Sequence, residues 1–103
     1  MLETMQGLTP TIVVNVPQDI DLTEAAHVYA SFKQGRDVVL VISDGLDIQA
    51  HSCGIYLEQA DTLKFRPGDL GLMLNWTYAS GQRGAINEIP LHVTANHLLE
   101  VLA

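Results

Sequence analysis

Apolar and polar positions along the chain fall into short runs of period two, each closed by Gly, Pro or a small polar cluster. Thr11 to Val16 (TIVVNV) is β-branched and stops at Pro17, which predicts a first strand at a sheet edge. In Ala26 to Lys33, Val28, Ala30 and Phe32 alternate with His27, Tyr29, Ser31 and Lys33, the pattern of a half-buried strand. After the Gln34-Gly35-Arg36-Asp37 turn, Asp37 to Ser43 (DVVLVIS) is apolar on both faces, as a central strand is. Asp44-Gly45 reads as a type I′ hairpin turn into a short strand at Leu46 to His51, with the register of that pair set by the turn.

Gly54 to Gln59 (GIYLEQ) predicts the next strand. Ala60 to Phe65 then breaks the alternation, and a single helical turn there would cross between sheets with Leu63 and Phe65 pointing inward. Arg66-Pro67-Gly68-Asp69 has Pro and Gly where a type II turn requires them. Beyond it Leu70, Leu72, Leu74, Trp76 and Tyr78 share one parity, against Gly71, Asn75, Thr77 and Ala79 on the other, so this long strand is the expected spine of the core. Ser80 to Gly84 makes a turn. In the strand after it Ile86 lies on one parity and Ile89, Leu91 and Val93 on the other, which next to Pro90 predicts a bulge or a bend between sheets. Leu98, Leu99 and Leu102 stand at helical spacing, so the tail from Asn96 is expected to form a short helical cap of one or two turns, or an extended cap.

Six to seven short strands with regular turn signals predict an all-β chain, an immunoglobulin-like or jelly-roll β-sandwich. Residues 1–10 read as an N-terminal arm and 11–103 as a single β-sandwich domain. The expected core holds Val28, Phe32, Val39, Leu40, Leu57, Leu72, Leu74 and Trp76.

Composition changes that picture in one respect. Apolar residues are 48% of the 103 and charged residues 17%, against a usual charged share of about 25%. So short a chain has little interior to hide that surface, which points to a self-associating or partner-bound face. Twelve acids against five bases give a net charge of −7, a field that repels phosphate backbones and argues against nucleic-acid partners. The first residues lack the basic and apolar regions of an export signal. No apolar run approaches the roughly 18 residues of a membrane span, so no membrane partner is expected.

Candidate chemistry is thin. Asp37, Asp44 and Asp47 beside Gly45 suggest a cation loop, but the segment is too short to wrap calcium and fits a solvated turn. Asp19 and Asp21 read as a charged connection. His51 and Cys53 could share a strand face and activate a thiolate, yet no signature of a cysteine nucleophile surrounds them, and a lone cysteine reads as a core residue. His27, His92 and His97 are isolated, without zinc-site spacing. Trp76, Tyr78, Tyr29, Tyr56, Phe32 and Phe65 could form a stacking platform, although the parity of Trp76 makes it core and no basic patch accompanies the others. No phosphate-cradling glycine loop is present. The residues therefore assign no catalytic, cofactor-binding or metal-binding set.

From Ile20 onward the chain resembles small phage and prophage proteins of gut Firmicutes. The likeness is carried by Asp21-Leu22-Thr23, by the strand Ala26 to Phe32 running into Lys33-Gln34-Gly35, and by the Gly81 to Ala85 hairpin before Ile86 to Val93. Its most specific part is L-x-Q-x-x-T-L-x-F-x-x-G, here Leu57 to Gly68. The resemblance implies a β-sandwich component or accessory of a tail or virion, with no enzymatic activity and no cofactor. The implied partners are further copies of the chain and other phage structural proteins, first in the bacterial cytoplasm during assembly and then in the virion. The alternative from the residues themselves is a small-ligand or carbohydrate-binding β-sandwich whose exposed tyrosines, such as Tyr29 or Tyr56, line a shallow site.

Overall fold

The computed structural model describes residues 2–103. Among them nine strands form two sheets: β1 (Leu2–Met5), β2 (Thr11–Asn15), β3 (His27–Gln34), β4 (Asp37–Ile42), β5 (Asp47–Gln49), β6 (Ser52–Tyr56), β7 (Gly68–Thr77), β8 (Arg83–Ala85) and β9 (Ile89–Thr94). The larger sheet runs β1-β9-β7-β3-β4, with β8 paired to the far half of β7, and the smaller runs β2-β6-β5. Among the described residues only β1 and β9 pair in parallel. The chain is an all-β sandwich, as its turn spacing predicts.

The alternation of β3 and β7 generates the core. Val28, Ala30 and Phe32 stand opposite Trp76, Leu74 and Leu72, so the two strands present one apolar face. The smaller sheet covers it with Ile12, Val14, Cys53 and Ile55. Phe65 adds a ring whose centroid lies 5.3 Å from that of Phe32, within the range of favourable tilted aromatic pairs. Of the expected core, Val39 alone is half-buried rather than buried. The helical turn, α1 (Gln59–Thr62), joins β6 to β7 and so crosses between sheets as expected. The Asp61 carboxylate accepts the Glu58 N–H at 2.9 Å, and the buried Thr62 hydroxyl donates to the Leu8 carbonyl at 2.7 Å. Gly68 opens β7 with a φ of 124°, a conformation that favours glycine.

Two buried glutamines fix the segment between α1 and β7. Gln34 donates to the Arg66 carbonyl (2.7 Å) and accepts the Arg66 N–H (2.8 Å). Gln6 donates to the Phe65 carbonyl (2.8 Å), while its own backbone carbonyl accepts from the Asn96 side chain (2.9 Å). These amides bury no unpaired polar group and clamp a loop that has no ladder of its own.

Several expectations need correction. Asp37 to Ser43 is not a central strand: β4 pairs with β3 alone and forms a sheet edge. The register shifts between Phe32 and Lys33, so that Val41 stands opposite Ser31 and Val38 opposite Lys33. This bulge sends Val38 and Val41 to the outer face together, whereas Leu40 stays inside. A run apolar on both faces thus marks a bulged edge here. Asp44-Gly45 is not a hairpin, because β4 and β5 lie in different sheets. A type I′ turn needs positive φ at both central residues, and only Gly45 has it, at 72°. The segment is a crossover, and β5 pairs instead with β6, which begins at Ser52 rather than Gly54.

The parity change after Ile86 does not lead to a second sheet. β8 pairs with Asn75–Thr77 and β9 with Gly68–Leu72, so the chain steps out at Asn87-Glu88 and rejoins the same partner. The C-terminal tail forms no helical cap; it is irregular and leaves Leu98, Leu99 and Leu102 exposed. A stripe at helical spacing gains nothing without a face to cover, and side-chain amides hold the extended tail instead. Asn96 bonds to Gln6, and the Leu102 N–H donates to Gln59 at 2.8 Å. Within the expected arm of residues 1–10, β1 lies along β9.

Candidate functional site

The residues with chemical potential are dispersed. Asp37, Asp44 and Asp47 are exposed at the β3–β4 turn, in the crossover and at the start of β5. Among the described residues no three His, Cys, Asp or Glu side chains gather as a metal site would require. Asp21 accepts from the Thr23 N–H (3.0 Å) and hydroxyl, capping the 3-10 turn Leu22–Glu24. Those two bonds hold its carboxyl below the usual carboxylate range. Asp19 is exposed in the same connection.

Cys53 is fully buried between Val14 and Ile48 in the smaller sheet. Burial pushes its thiol up to about 11, with the nearby Asp47 carboxylate adding to the shift, the reverse of what a nucleophilic thiolate needs. His51 does not serve it: the imidazole Nδ1 lies 2.7 Å from the Ile20 carbonyl and ties the β5–β6 turn to the connection before β3. His27 is exposed beside Tyr29, with ring centroids 6.3 Å apart. His92 lies 3.6 Å from Asp69, and His97 is exposed in the tail. Trp76, Phe32 and Phe65 belong to the core. The Trp76 indole donates to the Tyr78 hydroxyl at 3.1 Å. Tyr29 and Tyr56 remain outside it, 36% and 54% exposed.

Two kinds of surface feature result. The first is a half-open cleft of about 570 Å³ between the 3-10 turn, the start of β3 and the crossover. Leu22, Val28, Leu46 and Ile48 give it an apolar floor, with His27, Tyr29 and Asp44 at the polar side. The second is the free edges. On β4, Val38 (58% exposed) and Val41 (56%) stand on the outer face, where Tyr29 and Arg83 line a hollow with them. On β2, the Val16 N–H bonds to His51 and Pro10 accepts from Leu57, both at 3.0 Å. Even-numbered β2 residues therefore direct their backbone groups to β6, and those of Thr11, Val13 and Asn15 point to the open edge. The side chains of these three are exposed as well, Val13 by 60%.

Sequence periodicity finds the β2 edge through Pro17, but misses β4 because a bulge leaves no mark in a run of valines. It also passes over Gln34, although that glutamine continues the inward parity of Val28, Ala30 and Phe32. Neither a family model nor a curated protein matches the chain. Among the described residues no helix is long and apolar enough to cross a membrane.

Proposed function

We propose that this chain is a non-enzymatic structural or adaptor subunit that acts through protein–protein contacts at its sheet edges. The observation that carries the reading is the pair of open edges with exposed valines, Val13 on β2 and Val38 and Val41 on β4. An edge strand offers unpaired backbone groups to a neighbour's strand, and uncharged β-branched side chains beside it leave that pairing unopposed. The sequence resemblance suggests the setting, a tail or virion accessory of a phage or prophage particle, with further copies and particle proteins as partners. The test is capture of the products of neighbouring genes by the tagged protein. Recovery of particle components that is lost on Val38→Lys/Val41→Lys supports the reading, and their absence from every eluate overturns it.

A small-ligand or carbohydrate-binding role is the second reading, and the cleft beside Tyr29 and His27 favours it. Its measurement is a saturation-transfer spectrum against simple saccharides, in which signal lost on Tyr29→Ala supports binding at that cleft.

A further inference from the structure

We propose that two copies of this chain join through β2, edge to edge and antiparallel, with Val13 of both copies on the two-fold axis. The inference rests on the contact-module reading above and names its partner, a second copy.

Register carries the argument. The outward backbone groups belong to Thr11, Val13 and Asn15, alternate residues centred on Val13. Antiparallel pairing about that centre sets Val13 opposite its own copy and Thr11 opposite the other copy's Asn15. All three are then hydrogen-bonded pairs, closing about six backbone bonds. An edge centred on any other residue of β2 would pair fewer of these groups. The side-chain pairs are compatible, Thr against Asn and Val against Val.

Charge selects the occupant. The chain carries −7, yet Thr11–Asn15 contains no ionisable side chain. Two like-charged copies can pair along the strand itself without setting acid against acid, Glu3 of β1 being the one carboxylate that lines the groove beside it, whereas a basic peptide finds no carboxylate on the strand to hold it. Between the flanking Pro10 and Pro17, Thr11–Asn15 itself carries no lysine, no proline and an unbroken register with β6. β4 differs, since its bulge disrupts the ladder next to its exposed valines. Pairing would join two three-stranded sheets into one of six strands, matching the larger sheet of each copy. Leu2 of β1 lines the adjacent groove and is exposed, apolar surface that such a joint would cover towards the roughly 1,200–2,000 Å² of a stable interface.

The experiment is sedimentation velocity at micromolar to submillimolar concentration on the wild type and three variants. A dimer is expected for the wild type. Val13→Lys places like charges together on the axis, and dissociation is expected to weaken the dimer at least about tenfold. Because Val13 faces solvent opposite Gly54, circular dichroism and melting temperature report whether the fold is intact. The register is tested by two double variants. Thr11→Lys/Asn15→Asp brings opposite charges face to face and keeps the dimer, while Thr11→Lys/Asn15→Lys opposes like charges and gives a monomer. A monomeric wild type overturns the proposal, and so does a dimer indifferent to Val13→Lys. Capture of particle components by the same monomeric protein would leave the broader reading standing while this one fell.

Discussion

Two glycines separate a contact that can yield from one that cannot. A Cβ built on Gly84 collides with the indole of Trp76, a buried ring with no room to retreat, whereas one built on Gly71 collides with the side chain of the exposed Glu88. Gly84→Ala should therefore cost about 1–3 kcal/mol as an overpacked contact, and Gly71→Ala should stay within about 0.5 kcal/mol as Glu88 swings away. Urea denaturation of the two variants checks the contrast. Trp76→Ala, which leaves a cavity beside Leu74 and Val28, is expected to lose about 3–5 kcal/mol. Cys53 supplies a pH signature. Its folded-state thiol titrates near 11, above an unfolded thiol at about 8.5. The folded chain thus holds the proton that the unfolded chain releases, so stability is intact below about pH 8 and declines as pH rises towards 11. A denaturation series from pH 7 to about pH 11 should show that slope, and Cys53→Ala should flatten it.

At the level of elements, the clamp on the α1–β7 segment depends on one side chain from each end of the larger sheet's neighbourhood. Gln34→Ala removes both partners of the Arg66 backbone and should cost about 1 kcal/mol or somewhat more through a part-buried N–H and carbonyl left without them. Amide exchange should quicken from Leu63 to Arg66 while β3 and β7 stay protected. Sequence pattern anticipated these strands where one face alone is buried, as in β3 and β7, because alternation then records the environment directly. It failed at β4, where the bulge at Val39 swaps faces within an unbroken apolar run. It failed again at Asp44-Gly45, where turn chemistry that suits a hairpin also suits a crossover and only the pairing partners decide. The tail failed for a third reason, since helical spacing in Leu98, Leu99 and Leu102 has meaning only against a surface to cover. Of the candidate site, the core placement of Cys53 and Trp76 was legible from residue type and parity. The cleft was not, because it is assembled from three segments whose approach no local pattern encodes.

The whole molecule measures 45 × 28 × 21 Å and carries a net charge of −7, of which the five residues of β2 hold none. Any self-association through uncharged edges must overcome the mutual repulsion of two anionic bodies. Added salt screens that repulsion, since the Debye length falls from about 30 Å at 0.01 M to about 8 Å at 0.15 M. Dimer formation should accordingly strengthen as salt rises, and light scattering at low and physiological ionic strength would measure it. An interface built on ion pairs would weaken instead.

The parallel pairing of β1 with β9 sets the order in which the molecule can be made. Residues 2–5 lie along 91–94, and Gln6 bonds to Asn96 across a separation of 90 positions. A nascent chain emerging from the ribosome has β1 at hand but must wait for β9 to dock it. The β3–β4 hairpin can close early at little entropic cost, whereas this far closure is the slow and late event. During that wait β1 is itself an unpaired strand beside the groove it shares with β2, so an unfinished copy offers its neighbours a strand that a finished copy has already paired.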